Sequence, residues 1–345
     1  MPFCCSTINR SYPVANCRYI PILKYKGGEL WALGRVMATT KPRTSPLMEM
    51  HSDDNDGVEL VDDLMNNWGG YPAFVETDSA TVLQSMLDEA MSQNYIIIPV
   101  TRILKQPIFQ TTLATHPATA QNGLMLRLSP ADFALSTSLS VLINNLLSVT
   151  GRNKSDVDLL LDLGQIVTPG AAAAMSLGLI PQVPNLNQWR SFTIASAGFP
   201  ASTTVQAMPP GAWHRPLRHD WNSWLNIRGQ AIPRLPDYSD YTVREPGFPP
   251  AFPPRNVTIR YTTDNVFMVR REPKSTTPPV YSPASAICAD LITLPEFSGA
   301  NFSAGDQAIQ QRATNPGSPG SPVQWIREAV NHHIEFVVAA IANLP

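Results

Sequence analysis

The chain has 345 residues, of which 43 % are hydrophobic, so it is long enough to bury the core of one large α/β domain. Its 25 Lys and Arg residues nearly balance its 27 Asp and Glu residues, which argues against bulk binding to nucleic acid or to an anionic membrane surface. The sequence offers no apolar run suited to a signal peptide or a membrane span, so we expect a cytoplasmic protein without a membrane anchor.

Three of the four cysteines lie in an N-terminal extension, residues 1–18, ahead of the first predicted strand. The cysteines are Cys4, Cys5, Cys17 and Cys288. They do not form CxxC pairs, so the spacing does not favour a structural zinc site. We expect reduced thiols; a metal or disulfide clip in the extension is the alternative.

Strand-like and helix-like segments alternate through the first two-thirds of the chain. The seven predicted strands are Tyr19–Lys26, Ser45–Met50, Tyr71–Glu76, Tyr95–Val100, Gly123–Leu128, Val157–Leu163 and Ser191–Ser196. The predicted helices between them are Gly28–Val36, Val58–Trp68, Ser79–Gln93, Gln106–Gln121, Ser129–Thr150 and Thr168–Leu177, with a short one at Leu186–Arg190.

The strands recur every 25 to 34 residues, which is the length of one strand and one crossover helix. Seven such units predict either a closed barrel or a doubly wound sheet. The turn after the first strand, Lys26–Glu29, lacks the GxGxxG pattern of a dinucleotide-binding sheet. We therefore predict an α/β fold, a (β/α)8 TIM-like barrel, as a single domain over residues 1–345.

Residues 200–283 depart from this pattern and form a predicted insertion rich in Pro and aromatic residues. Its many rings argue against a disordered linker. Within it, Asn256–Tyr261 and Val266–Arg270 predict a β-hairpin, and the first of these is the candidate eighth barrel strand. A final helix, Val323–Asn343, has one apolar face and is expected to pack on the outside of the barrel.

Several predicted strands carry a charged side chain near their carboxyl end, where barrel enzymes place their active sites. The charged residues are Lys24, Lys26, Glu49, Glu76, Arg127, Asp162 and Arg260. Charges within apolar strands are costly unless they are paired, so we expect those of the barrel strands to converge on one opening. They would form either a site for an anionic ligand or a structural ring of ion pairs.

Two further motifs lie outside the seven strands. Asp237–Tyr241, with the sequence DYSDY, offers Asp240 and Tyr241 as ligand-binding residues at the barrel opening; the alternative is a turn whose rings pack under the loop. His332 and His333 are adjacent in the last helix and point about 100° apart, so they are poorly placed to share a metal. We expect one of them to be a buried or capping group.

Several blocks of the sequence carry a family resemblance: Tyr19–Leu33 with Pro46–Glu49, the DYSDY motif, the strand Ile259–Thr262, and Trp325 with Asn331–His333. In these blocks the sequence resembles the phage-type beta protein family. Together these landmarks extend from about Tyr19 to Leu344. The resemblance implies a protein of bacteria, prophages or phages, and a role in phage–host conflict or antiviral defence. It implies no mechanism, and the N-terminal extension departs from the family pattern.

Two functions follow as hypotheses. In the first, the barrel opening binds, or binds and hydrolyses, a phosphorylated or nucleotide-like small molecule or a nucleic-acid end. Lys24, Lys26, Arg127 and Arg260 would then hold the anion, and one of the acids, Glu49, Glu76 or Asp162, would serve as general base or metal ligand. In the second, the protein is a non-enzymatic partner in a phage or host defence complex, and the insertion is its docking surface. A nuclease-like toxin has less support, and the sequence identifies no cofactor.

Overall fold

The computed structural model of the chain describes residues 18–344, apart from residues 55, 136, 249–255 and 316. The predicted extension, except for Arg18, therefore lies outside the described residues. The same holds for Cys4, Cys5 and Cys17, and for Phe252 of the insertion. Cys288 is a buried free thiol.

Eight parallel strands close into a barrel and confirm the predicted (β/α)8 fold. The first seven are β1 (Tyr19–Lys24), β2 (Leu47–Glu49), β3 (Ala73–Glu76), β4 (Ile97–Thr101), β5 (Leu124–Leu128), β6 (Val157–Gln165) and β7 (Ser191–Ala197). The remaining strands are β8 (Trp213–His214), β9 (Asp237–Asp240), β10 (Asn256–Thr262) and β11 (Phe267–Pro273). Strand β9 closes the barrel by pairing with β1 and β7.

The prediction of the eighth strand was wrong. Strand β10, which contains the predicted Asn256–Tyr261, pairs antiparallel with β11, and β11 pairs with β8 in a separate three-stranded sheet. The barrel position belongs to β9, which carries the DYSDY motif. Its polar side chains tolerate burial because distant groups satisfy them: the Tyr19 hydroxyl donates to Asp240 Oδ1 at 2.6 Å, and the Ser239 hydroxyl donates to the Ile20 carbonyl at 2.6 Å.

Helices follow most of the barrel strands, as the sequence predicts. They are α1 (Gly27–Gly34), α2 (Gly57–Asn67), α3 (Ala80–Ser92), α4 (Pro107–Thr115), α5 (Pro117–Asn122), α6 (Leu139–Thr150) and α7 (Ala171–Leu179). The later helices are α8 (Ser202–Ala207), α9 (His219–Arg228), α10 (Pro283–Leu291), α11 (Ala304–Thr314) and α12 (Pro322–Ala342). Helix α12 packs against α1, β1 and β10.

Two predicted helices are interrupted for identifiable reasons. The predicted Gln106–Gln121 is split into α4 and α5 because Pro117 removes a backbone donor and holds His116 in an extended conformation. The segment after Ser129 begins with a 3-10 turn, in which Ser129 and Asp132 form a reciprocal capping box. Helix α6 starts only at Leu139 and ends at Thr150; it is capped by Gly151, whose φ of 63° suits glycine.

Alternate residues of the barrel strands fill its interior. The inner core consists of Ile20, Ile22, Leu47, Phe74, Ile98, Val100, Met125, Leu160, Ala195, Ala197 and Tyr241. The direction of the side chain repeats every two residues along a strand. Lys24, Glu49 and Glu76 therefore also point inward, two residues nearer the carboxyl end than Ile22, Leu47 and Phe74. The alternation therefore places charged groups above an apolar core.

Most rings of the predicted insertion are part of the core. Trp221 and Trp224 are buried and each lies 5.1 Å, centroid to centroid, from the ring of Tyr238. Tyr241 is buried as well. These rings hold α9 against the outer face of β9. Across the described residues, no helix has both the length and the apolar character needed to cross a bilayer.

Candidate functional site

Five of the predicted site residues meet at the carboxyl-end opening of the barrel, which we call the mouth. They are Lys24, Glu49, Glu76, Arg127 and Asp162, and all five are buried. Each comes from a different strand, and the inward direction follows from the side-chain alternation. The sequence signal was therefore the charge at the last inward position of each strand.

Arg127, only 2 % exposed, lies at the centre of what we call the Arg127 cluster, together with Glu49, Glu76, Asp162 and Tyr241. Its Nη1 donates to Glu49 Oε1 at 2.8 Å and also contacts Glu76 Oε2. Its Nε and Nη2 donate to Asp162 Oδ2 at 3.0 and 2.7 Å, and Nη2 reaches the Tyr241 hydroxyl. The Tyr241 hydroxyl in turn donates to Asp162 Oδ2 at 2.7 Å. The guanidinium is thus occupied by protein groups.

The two glutamates of the cluster differ in their electrostatics. Burial alone would raise the pKa of Glu76, but Arg127 and Arg102 together hold it below the ordinary value; Arg102 Nε lies 2.6 Å from Glu76 Oε1. For Glu49, burial outweighs the attraction of Arg127 and raises the pKa. Glu49 Oε2 is buried and has no hydrogen-bond partner among the described residues. Glu49 is therefore the carboxyl most available to a ligand.

A second set of charges, the cationic group, consists of Lys24, Arg244 and Arg260. Burial lowers the pKa of Lys24 to about 8 and that of Arg260 to about 9, and in both cases Arg244 is the second cause. Lys24 ends β1 and Arg244 follows β9, the strand that pairs with β1, and the charge of Arg244 acts on both Lys24 and Arg260. Within the described part of the chain, neither Lys24 nor Arg260 makes a hydrogen bond or an ion pair, and Arg260 Nε is buried.

Two carboxylates offset part of this positive charge. Glu29 Oε1 lies 2.6 Å from Arg244 Nη2, and Glu245 is bound by the backbone N–H and the hydroxyl of Ser202. Three cations against two carboxylates leave one positive charge in excess. The three carboxylates of the Arg127 cluster face two cations, Arg127 and the neighbouring Arg102, which leaves one negative charge in excess. The mouth therefore has a basic side and an acidic side.

Two open cavities lie at the acidic side and share Glu49, Arg102 and Gly247 in their walls. Their volumes are about 280 and 310 Å³. Phe248 lines the first, and the ammonium groups of Lys24 and Lys26 lie 5.4 and 5.7 Å from the centre of its ring. Lys26 is exposed. Phe248 thus lies beside both lysines and also lines the cavity.

Two predicted ligand-binding residues occupy other positions than the sequence indicated. Asp240 points away from the mouth and is completely buried behind β9, where it accepts hydrogen bonds from the hydroxyls of Tyr19 and Tyr238, and pairs with His333 Nε2 at 2.8 Å. Arg260 lies on β10 and not on a barrel strand, so the placement on an eighth strand was wrong. Its guanidinium nevertheless interacts electrostatically with Arg244 and Glu245, which follow β9.

Both adjacent histidines of α12 are buried in polar networks. His332 Nδ1 lies 2.9 Å from Asp306 Oδ2, and His332 Nε2 lies 2.8 Å from the Thr262 carbonyl. Both ring nitrogens therefore face hydrogen-bond acceptors. Burial alone would raise the pKa of Asp306, but the charge and hydrogen bond of His332, with hydrogen bonds from Ser303 and Tyr261, together lower it. These contacts attach the three-stranded sheet and α11 to α12. Across the described residues, no group of three or more His, Cys, Asp or Glu side chains is arranged to hold a metal ion.

Sequence reasoning missed Arg102, Arg244 and Phe248. Arg102 directly follows β4 and continues its inward alternation, so its position was readable as the last inward residue of that strand. Arg244 and Phe248 follow β9, and identifying them required the correct eighth strand.

A closed parallel barrel with an acidic and a basic side at its mouth defines a (β/α)8 barrel protein of the TIM-like class. Within that class, the chain belongs to the Beta protein family, whose model matches residues 19–339. The match covers nearly the whole chain and confirms the resemblance seen in the sequence. Among curated proteins and among solved structures, no match was found.

Proposed function

We propose that the barrel mouth binds an anionic ligand, phosphorylated or nucleotide-like, whose negative group lies at the cationic group. The observation that carries this proposal is the presence of two cations, the buried Lys24 and the half-buried Arg260, without hydrogen-bonding partners among the described residues. A buried charge is costly unless it is paired, so an anion that pairs with both would recover this cost. Phosphate and carboxylate groups match the donors of guanidinium and ammonium groups.

Arg127 has a different role in this proposal from the one that the sequence suggested. Its donors are engaged by the Arg127 cluster, so it orients the carboxyls rather than the anion. Glu49 is the candidate general base or acid, because one of its oxygens is free of hydrogen bonds and the residue lines both cavities. Glu76 and Asp162 hold Arg127 in place.

The proposal is tested by calorimetric titration with inorganic phosphate, a panel of nucleoside monophosphates and a short 5′-phosphorylated oligonucleotide. Arg260→Gln should weaken binding of the ligand that titrates by about tenfold or more, since one charge-assisted contact contributes roughly 1.5–3 kcal/mol. Arg43→Gln is the matched control, because Arg43 is exposed ahead of β2, at the opposite end of the barrel. Equal affinity in both variants, or no heat with any probe, would remove the proposal.

The alternative proposal, a non-enzymatic partner of a phage or defence complex, has less support. Its predicted docking surface used rings of the insertion, but Trp221, Trp224 and Tyr241 are buried in the fold. A role in phage–host conflict rests on the family resemblance alone. Pull-down with Trp213→Ala, which alters a half-buried ring on β8, separates this alternative from the ligand site.

A further inference from the structure

We propose that Lys24 is a nucleophilic amine that forms an imine with an aldehyde or ketone carbonyl of the anionic ligand. This inference rests on the proposed anion site and narrows the substrate class to carbonyl compounds that carry a phosphate or a carboxylate. In this assignment Arg244 and Arg260 hold the anion, and Lys24 supplies the reacting nitrogen.

The position of Lys24 suits a nucleophile. It is the last inward-facing residue of β1 and is 5 % exposed. Its ammonium group makes no hydrogen bond or ion pair to the described residues and lies beside Phe248, which lines the cavity. Lys24 is paired in register with Glu49 on β2, and adjacent strands lie about 4.8 Å apart. A carbonyl held at the mouth would meet both side chains.

The electrostatics favour the neutral amine that attack requires. Burial, and then the positive charge of Arg244, lower the pKa of Lys24 to about 8. Desolvation and a neighbouring cation are the two features that activate an amine nucleophile in proteins. At pH 7.5, a lysine with this pKa is neutral about 200 times more often than one with the ordinary value.

Glu49 supplies the proton that imine formation needs. The neutral Lys24 Nζ attacks the carbonyl carbon; a C–N bond forms, the C=O π bond breaks, and one nitrogen proton passes to the oxygen, which gives a carbinolamine. Glu49, whose pKa is raised by burial, is protonated more readily than an exposed glutamate and gives its proton to the hydroxyl. Water leaves, the C=N bond forms, and a protonated imine faces the Glu49 carboxylate.

The test uses pyridoxal 5′-phosphate as a phosphorylated aldehyde, followed by borohydride reduction and peptide mass mapping. The chain has six lysines, so five of them serve as internal references. We expect Lys24 to be labelled at least about tenfold faster than Lys154, which precedes β6 at the opposite end of the barrel. Lys24→Met should lose only this label, and Glu49→Gln should slow it at least about tenfold without changing the label on Lys154.

The outcomes separate this inference from the proposed function. Equal labelling of Lys24 by pyridoxal and by its phosphate keeps the imine but overturns the anion site. Binding of inorganic phosphate without preferential labelling of Lys24 keeps the anion site and overturns the imine. Phe248→Ala tests whether the Phe248 ring blocks access of the aldehyde to Lys24. If Lys24 is labelled no faster than Lys154 in both the wild type and this variant, the inference is wrong.

Discussion

Arg127→Met is the substitution that tests most directly whether the Arg127 cluster stabilises the barrel. It removes a 2 % exposed guanidinium and leaves Glu49, Glu76 and Asp162 buried with Arg102 as their remaining cation. Breaking a buried ion pair by removing one partner costs about 3–5 kcal/mol. For a chain of this length the unfolding entropy is about 0.7 kcal/mol/K, so a loss of about 4 kcal/mol lowers Tm by about 6 °C.

The loss should depend on pH in a defined direction. In the wild type, Arg127 and Arg102 keep the pKa of Glu76 below its unfolded value, so this stabilisation is present above that value and fades as pH falls. In the variant Glu49 and Glu76 are buried with less compensation, so their pKa values rise and the destabilisation shrinks as they take up protons. The difference in unfolding free energy should therefore be larger at pH 7.5 than at pH 5.

Urea unfolding of both proteins at the two pH values measures this difference. Arg102→Met is the control, because its side chain is 37 % exposed and contacts one carboxylate, so we expect a loss below about 1 kcal/mol. A loss below about 1 kcal/mol for Arg127→Met at pH 7.5 would refute this account of the cluster. So would a loss of equal size at both pH values.

Two further predictions concern the packing behind the barrel. Asp306→Asn should destabilise the fold by about 3 kcal/mol at pH 7, since it leaves His332 without its carboxylate. The pKa of Asp306 is lowered in the fold, so its stabilisation fades as the carboxylate is protonated, and the loss should shrink below pH 4. Urea unfolding at the two pH values measures this difference. Gly305→Ala should cost about 1–3 kcal/mol by the same measurement, because an added Cβ would lie 2.2 Å from the Glu328 carbonyl oxygen. Gly178→Ala, whose Cβ meets nothing within 4 Å in α7, should instead stabilise by about 0.5–1 kcal/mol, and similar effects for the two glycines would contradict this reading.

Most of the barrel could be predicted from the sequence, because its strands and helices are marked by local sequence patterns. Short apolar runs at regular spacing and helix caps such as Ser79, which accepts from Val82 N, depend on neighbours in sequence. The charges at the last inward position of each strand could be predicted for the same reason. The two-residue alternation fixes the face of the strand on which Glu49, Glu76 and Arg127 lie. The convergence of these charges followed once the barrel closed.

The eighth barrel strand, β9, could not be predicted from local sequence patterns. Its four residues, Asp237–Asp240, include three polar ones, and a buried strand with that composition is stable only if distant groups satisfy it. Those groups, such as Tyr19 and His333, lie 221 and 93 residues away from Asp240. The hairpin strand β10 has the better strand composition, but composition did not decide where the strand lies. Its pairing partner, β11, decided its place.

The sequence by itself determined the class of fold, the end of the barrel where charge collects, and the identity of the Arg127 cluster, because periodicity and capping are properties of adjacent residues. Only the tertiary structure decided which segment closes the barrel, that Asp240 faces away from the mouth, and that Arg244 joins Lys24 and Arg260. These outcomes depend on which buried polar groups find partners across the fold, and hydrogen bonds and charges between residues far apart in the chain leave no local pattern.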